Sequence, residues 1–180
     1  MGSDIDIVMI LEEDAEEYKR KSIRKLSSMV QQFVDDGIMQ RTAKAMAEKP
    51  LRGESKGNCH NIALAFMTDL IIGRRAQGWS WVKGGNPKRI SKQGRAWEHS
   101  WLEYNGFAVD ATTKQTGKPD QQTISIGEVG FYYKARGITK ILKRRDAAQT
   151  RRWIFKHAKD EAVPSTVPSI LHSSWVVPSR

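Results

Sequence analysis

Trp97-Glu98-His99-Ser100-Trp101-Leu102-Glu103-Tyr104, then Asn105-Gly106, then Phe107-Ala108-Val109-Asp110-Ala111-Thr112 is the stretch on which the fold turns. Asparagine followed by glycine between two runs rich in aromatic and β-branched residues predicts a β-hairpin, because both turn residues need positive φ and these two reach it at least cost. With a two-residue turn, Tyr104 faces Phe107, Leu102 faces Val109, Trp101 faces Asp110 and His99 faces Thr112. One sheet face then carries Ser100, Leu102, Tyr104, Phe107, Val109 and Ala111, a good core face. The other carries His99, Trp101, Glu103, Ala108, Asp110 and Thr112. His99 and Asp110 are diagonal neighbours on that second face, with Cβ atoms expected within about 7–8 Å. A carboxylate bonded to one ring nitrogen fixes the tautomer and leaves the other nitrogen free to take a proton from a nucleophile. Glu103 shares the face, but four residues along the same strand from His99 it is expected to be too distant to serve as that carboxylate. The bland alternative is a half-exposed strand carrying ordinary polar residues.

Upstream, the only cysteine opens an apolar run, Cys59 through Ile72, that reads as a largely buried helix ending at Gly73. Gly53 to Asn58 reads as a loop, with Ser55 or Asn58 capping the helix. A cysteine in the first turn lies where unpaired backbone N–H groups and the helix dipole favour the thiolate. Gly57 permits a tight turn, the Cys59 N–H is one candidate oxyanion donor, and the Asn58 side chain is a second. Trp81 and Trp101 are candidates to roof the site. By itself a free cysteine is more often a small core residue. A downstream hairpin that aims a histidine and an aspartate from one face is what favours chemistry. A metal site built from Cys59, His60 and His99 is not expected, because adjacent helix residues point about 100° apart and zinc wants three or four converging ligands. No cofactor is expected either.

Gly57-Asn58-Cys59 at a helix start, followed by the His99 strand, the Asn-Gly turn and the Asp110-Ala111-Thr112 strand end, resembles the core of the transglutaminase-like superfamily within the papain-like fold. That family's pattern is a Gly-x-Cys at a helix start, a His-Ala-Trp-Val-Glu-type strand, and an Asp-Pro-Thr or Asp-Ala-Thr strand end. The match covers roughly residues 53 to 113. It implies Cys59 as nucleophile, His99 as general base and acid, and Asp110 as the group that orients the imidazole. The expected fold is α+β: a papain/transglutaminase-like core in which a central helix carries the nucleophile and packs on a small antiparallel β-sheet, with extra N-terminal and C-terminal helices. The expected activity is attack on an amide bond of a protein or peptide substrate through an acyl-enzyme. Water resolves that intermediate in a cysteine peptidase or isopeptidase, and an amine does so in an acyltransferase. Hydrolysis is preferred, because water is always available and nothing in the sequence marks an amine pocket.

Around this core, Ile23, Leu26, Val30, Phe33 and Val34 recur at three- and four-residue intervals and predict a helix from about Leu11 to Asp36, stopped at Gly37. A second short helix is expected from Ile38 to Glu48. Trp79 to Lys83 reads as a strand, Gly84 to about Arg95 as a turn-rich basic loop, and the residues after Thr112 as a polar loop to about Gln122. Thr123 to Ile126 reads as a strand, Val129 to Tyr133 as a strand or short helix, and Ala147 to Lys159 as a basic amphipathic helix. One domain is expected over 1–160, its core at about 53–133, followed by an extended tail over 161–180 that holds Pro164, Pro168 and Pro178.

The composition fits a folded chain: 180 residues, 39% hydrophobic, with six Trp. The single cysteine excludes an internal disulfide and a multi-cysteine zinc cage. No stretch reaches the apolar length of a membrane span and no secretory signal opens the chain, so a cytoplasmic, membrane-free protein is expected. The net charge of +10 is uneven, with acidic residues at 4–17 and basic segments at 83–95 and 134–159. Those segments are expected either to form a solvated surface or to attract an acidic partner or nucleic acid. The competing class of function is therefore a basic binding module on the same scaffold, with Cys59 incidental.

Overall fold

The structure, a computed structural model, describes residues 5–48, 58–115 and 118–157. The expected tail over 161–180, the Ser55 cap and the Gly57 turn lie outside them. The described elements run β1 (Ile5–Ile10), α1 (Glu17–Asp35), α2 (Gln40–Ala47), α3 (Asn58–Ile72), β2 (Trp79–Ile90), β3 (Ala96–Tyr104), β4 (Phe107–Gln115), β5 (Lys118–Glu128), α4 (Val129–Arg136), β6 (Lys140–Asp146) and α5 (Ala147–His157). The class is α+β. The sheet has six strands in the order β1-β5-β4-β3-β2-β6. It is larger than the small antiparallel sheet expected, and mixed, because β1 pairs parallel with β5 while the other neighbours are antiparallel.

The Asn105-Gly106 hairpin forms as read. Both residues have positive φ, 48° and 81°, so the turn's twist matches that of the strands it joins. Tyr104 pairs with Phe107, Glu103 with Ala108 and Leu102 with Val109. Leu102, Phe107, Val109 and Ala111 then join Ile124 and Ile126 of β5 in the main core. Over them lies α3, buried from Ile62 to Leu70. A helix apolar on nearly every side belongs in the middle of a protein. α1 buries Ile23, Leu26, Val30 and Phe33 against the same core. α5 closes on α3 through Ile154 and Leu64.

The opposite sheet face is not left to solvent. Val82, Trp101 and Ala108 form a second core with Tyr132 of α4 and with Ile138. The chain thus makes three layers, and the face carrying His99 and Asp110 is an interior one. α4 ends at Gly137, whose φ of 71° gives the left-handed helix stop that favours glycine.

Four segments read as loops or left unread are strands, β1 being the first. Residues 84–90 continue β2. The glycines Gly84 and Gly85 serve close approach between strands rather than a turn: a Cβ at Gly84 would lie 2.6 Å from the Trp101 ring, and one at Gly85 2.4 Å from the Trp97 carbonyl oxygen. The polar stretch after Thr112 extends β4 to Gln115, and β5 starts at Lys118. Residues 140–146 of the basic region form the edge strand β6. α1 starts at Glu17, six residues later than expected from Leu11, because the chain must first leave β1. Among the described residues, no helix is long and apolar enough to cross a membrane.

Gly85→Ala is expected to lower stability by about 1–3 kcal/mol, since the atom its Cβ meets is backbone and cannot swing aside. Urea unfolding measures this. An unchanged midpoint would mean that β2 and β3 have room to part.

Candidate active site

Cys59 is the second residue of α3 and is buried, at 9% exposure. The helix is pinned at this end by Asn58, whose amide nitrogen donates to the carbonyls of Ala45 (2.9 Å) and Glu48 (3.2 Å) at the end of α2. Both amide hydrogens are used there. Asn58 is therefore a tie between helices, and its expected role as an oxyanion donor is not supported by where its side chain points.

His99 sits on β3 with its Nε2 2.9 Å from Asp110 Oδ2. Expectation and structure agree on this pair, but the ladder does not make it. The β3–β4 pairing covers Leu102↔Val109 to Tyr104↔Phe107, and the β4–β5 register shifts between Asp110 and Thr113. The irregularity re-aims the strand where the carboxylate projects. Asp110 Oδ1 accepts the Thr112 backbone N–H at 2.9 Å and its hydroxyl at 2.5 Å, which holds the kink. Oδ2 accepts His99, the Tyr132 hydroxyl (2.7 Å) and an Arg136 N–H (2.6 Å). The Asp110 carboxylate is fully buried.

Those donors decide the charges. Burial alone would raise the Asp110 pKa, but the hydrogen bond and charge of His99, the charge of Arg136 and the Thr112 hydrogen bond hold it well below the usual carboxylate range. For His99, burial works toward the neutral ring. Hydrogen bonding and charge at Asp110 and Cys59 outweigh it and raise the pKa to about 9. At neutral pH the ring is an imidazolium paired with the Asp110 carboxylate. Nε2 is engaged by Asp110 and lies 3.3 Å from the Thr112 hydroxyl, which leaves Nδ1 as the ring nitrogen not held by Asp110.

The ring plane is set by stacking. Trp97 and Trp101, two residues either side of His99 on one strand, lie 5.9 Å from it with interplanar angles of 7° and 19°. Trp101 is held in turn by Glu103, which accepts its indole N–H at 2.9 Å and also binds the Tyr133 hydroxyl and Arg144. Glu103 therefore supports Trp101 and is not the carboxylate of His99. Trp101 walls His99 from within. Trp81, by contrast, packs in the main core on the opposite sheet face with Arg145 4.9 Å above its ring. The two tryptophans do not roof one site together, because Trp81 pairs with Leu102 and Trp101 with Val82, and neighbouring strand positions face opposite ways.

Four partners escaped the sequence reading. Tyr132 and Arg136 come from α4, an element whose type was left open. Thr112 acts through the kink. His60 Nδ1 lies 2.5 Å from the Ser100 hydroxyl, joining the residue after Cys59 to the residue after His99. That bridge fixes the first turn of α3 to β3, one residue along from Cys59 and from His99. Burial, with the nearby Lys83 charge, lowers the His60 pKa and keeps this second ring neutral. Only Thr112 left a legible trace, since an aspartate two residues before a threonine favours local side-chain to backbone bonding.

Compared with protein-family models, curated proteins and solved structures, the chain matches none.

Proposed function

We propose that the chain is a thiol enzyme of the transglutaminase-like, papain-like kind, with Cys59 as nucleophile, His99 as general acid and base, and Asp110 as the group that orients His99. The observation that carries this reading is the buried His99–Asp110 pair, Nε2 to Oδ2 at 2.9 Å, with Cys59 among the groups that act on the ring. The deprotonated sulfur is the reactive form of a cysteine nucleophile, and a neighbouring imidazole is the group that exchanges its proton. The sulfur adds to an amide carbonyl, a C–S bond forms and the π electrons move to oxygen. Collapse expels the amine, which leaves with the proton of His99. The neutral ring then takes a proton from water as the water attacks the thioester, and the C–S bond breaks to release the acid and regenerate the ion pair. An amine in place of water gives acyl transfer by the same steps. Hydrolysis is the preferred outcome, on a protein or peptide substrate. An amide-based electrophilic probe tests the reading. Mass spectrometry should find one adduct on Cys59, and a protein left unlabelled in its folded state would refute it.

Rate should depend on pH through His99. The folded ring titrates near 9, above its ordinary 6.5, so its charge is complete below 6.5 and lost as pH rises through about 9. Turnover is expected to fall on that alkaline side, and the stability that the imidazolium contributes should fade over the same window. A kcat/KM profile alongside thermal melts checks both. Asp110 adds stability above its ordinary 3.8 that persists until pH falls through its depressed value.

A further inference from the structure

The basic segments 83–95 and 134–159 lie far apart in the chain, yet the structure brings them to one side of the sheet. β2 and β6 pair antiparallel, with Lys83 opposite Lys143 and Gly85 opposite Lys140. Lys88, Arg89, Lys140 and Lys143 are exposed there, with Arg152 and Lys156 of α5 exposed on the following helix. The acids nearby are already engaged. Glu98 pairs with Lys83, Glu103 binds Arg144, and Asp146 Oδ1 accepts the Gln149 N–H. Among the described residues β6 is the last strand of the sheet, so one side of its backbone has no described strand beside it. It presents Lys140, Ile141, Leu142 and Lys143 in sequence, all exposed and free of proline, with a register shift at Leu142 that leaves Lys140 and Lys143 opposite Gly85 and Lys83.

We propose that the open edge of β6 is a docking site for an acidic, extended segment of the polypeptide substrate, which adds to the sheet as a seventh strand. The proposal rests on the thiol-enzyme reading above and names the substrate class it takes. Main-chain hydrogen bonds supply the pairing, and Lys140 and Lys143 select carboxylates. A second copy of this chain is disfavoured, since it would set lysines against lysines. Nucleic acid meets the charge but has no use for a row of backbone N–H and C=O groups. Two strand spacings separate β6 from β3 and a docked strand adds a third, so the segment lies about 14 Å from the His99 backbone. A connector of about five extended residues spans that distance, at roughly 3.3 Å each. The site is thus an exosite, displaced along the substrate from the bond that reacts.

The test uses the full chain carrying Cys59→Ala, which keeps the edge and cannot be acylated. A fluorescent peptide of about ten residues, alternating Glu with Val, should bind by anisotropy and weaken about tenfold from low to moderate salt. Lys140→Glu combined with Lys143→Glu should weaken it about tenfold or more, with an unchanged melting temperature. Methylating alternate peptide nitrogens, which keeps charge but removes strand pairing, should weaken it by a similar factor. No binding, an unaffected charge reversal, an undiminished N-methylated peptide, or an oligonucleotide of equal charge bound as tightly would each overturn the proposal. Wild-type protein assayed on a short amide reporter lacking the acidic segment separates the two readings. Docking without any amide cleavage or transfer refutes the enzyme, and cleavage of the short reporter without docking refutes the exosite alone.

Discussion

Cys59→Ser is expected to abolish turnover, with a loss on the order of 10⁵-fold or more, as removal of a covalent nucleophile does. A serine hydroxyl is close in shape to the thiol, so α3 and the core beneath it should stay intact. Beside the same imidazolium, however, the hydroxyl carries almost no anion and cannot add to an amide. The substitution also removes one of the two groups that keep the His99 proton on the ring. The His99 pKa should therefore drop from about 9, visible as an NMR titration of the ring even where no activity remains. Steady-state rates and intact-mass detection of the acyl adduct check the first effect. A serine variant working within tenfold of wild type would rule out covalent catalysis at this position.

Asp110→Asn carries the second largest effect, because this carboxylate accepts five hydrogen bonds from four residues, one of them charged on the ring and another on a guanidinium. An amide of the same size keeps part of the hydrogen bonding and loses the charge. His99 then has no fixed tautomer and no counter-ion, and the rate should fall on the order of 10³–10⁴-fold. Arg136 keeps 31% side-chain exposure and recovers some hydration, so the fold should survive with a loss of about 3 kcal/mol. The alkaline limb of any remaining activity should move from about 9 toward the ordinary histidine range, since the counter-charge that raised it is gone. Urea unfolding and a pH profile of the variant measure both consequences. A wild-type rate would mean that another group holds the ring.

The hairpin was legible because its determinants are local. Asn105 and Gly106 both need positive φ and sit between two alternating runs, so turn type, register and face assignment follow from about sixteen consecutive residues. α1 and α3 were legible for the same reason, one from its stripe and the other from its unbroken apolar run. β1 was missed although Ile5-Asp6-Ile7-Val8-Met9-Ile10 is rich in β-branched residues, because its partner β5 is more than a hundred residues away and burial along it does not alternate. Gly84-Gly85 reads as a turn by composition. Only the presence of Trp101 and the Trp97 carbonyl against them shows that they are glycines of close approach. The charged segment 140–146 gives no strand reading of its own, since edge strands hide their pattern under lysine and arginine.

For the site, the chain alone determined which three side chains are worth testing and that His99 and Asp110 share a face, because strand alternation and a two-residue turn admit one arrangement. Tertiary structure decided the rest. It supplied the α4 layer that buries this face, the kink after Asp110, the Tyr132 and Arg136 donors and the His60–Ser100 bridge. Those features set whether the ring is charged, and charge depends on burial and on neighbours that meet only when distant segments pack, which no local pattern encodes.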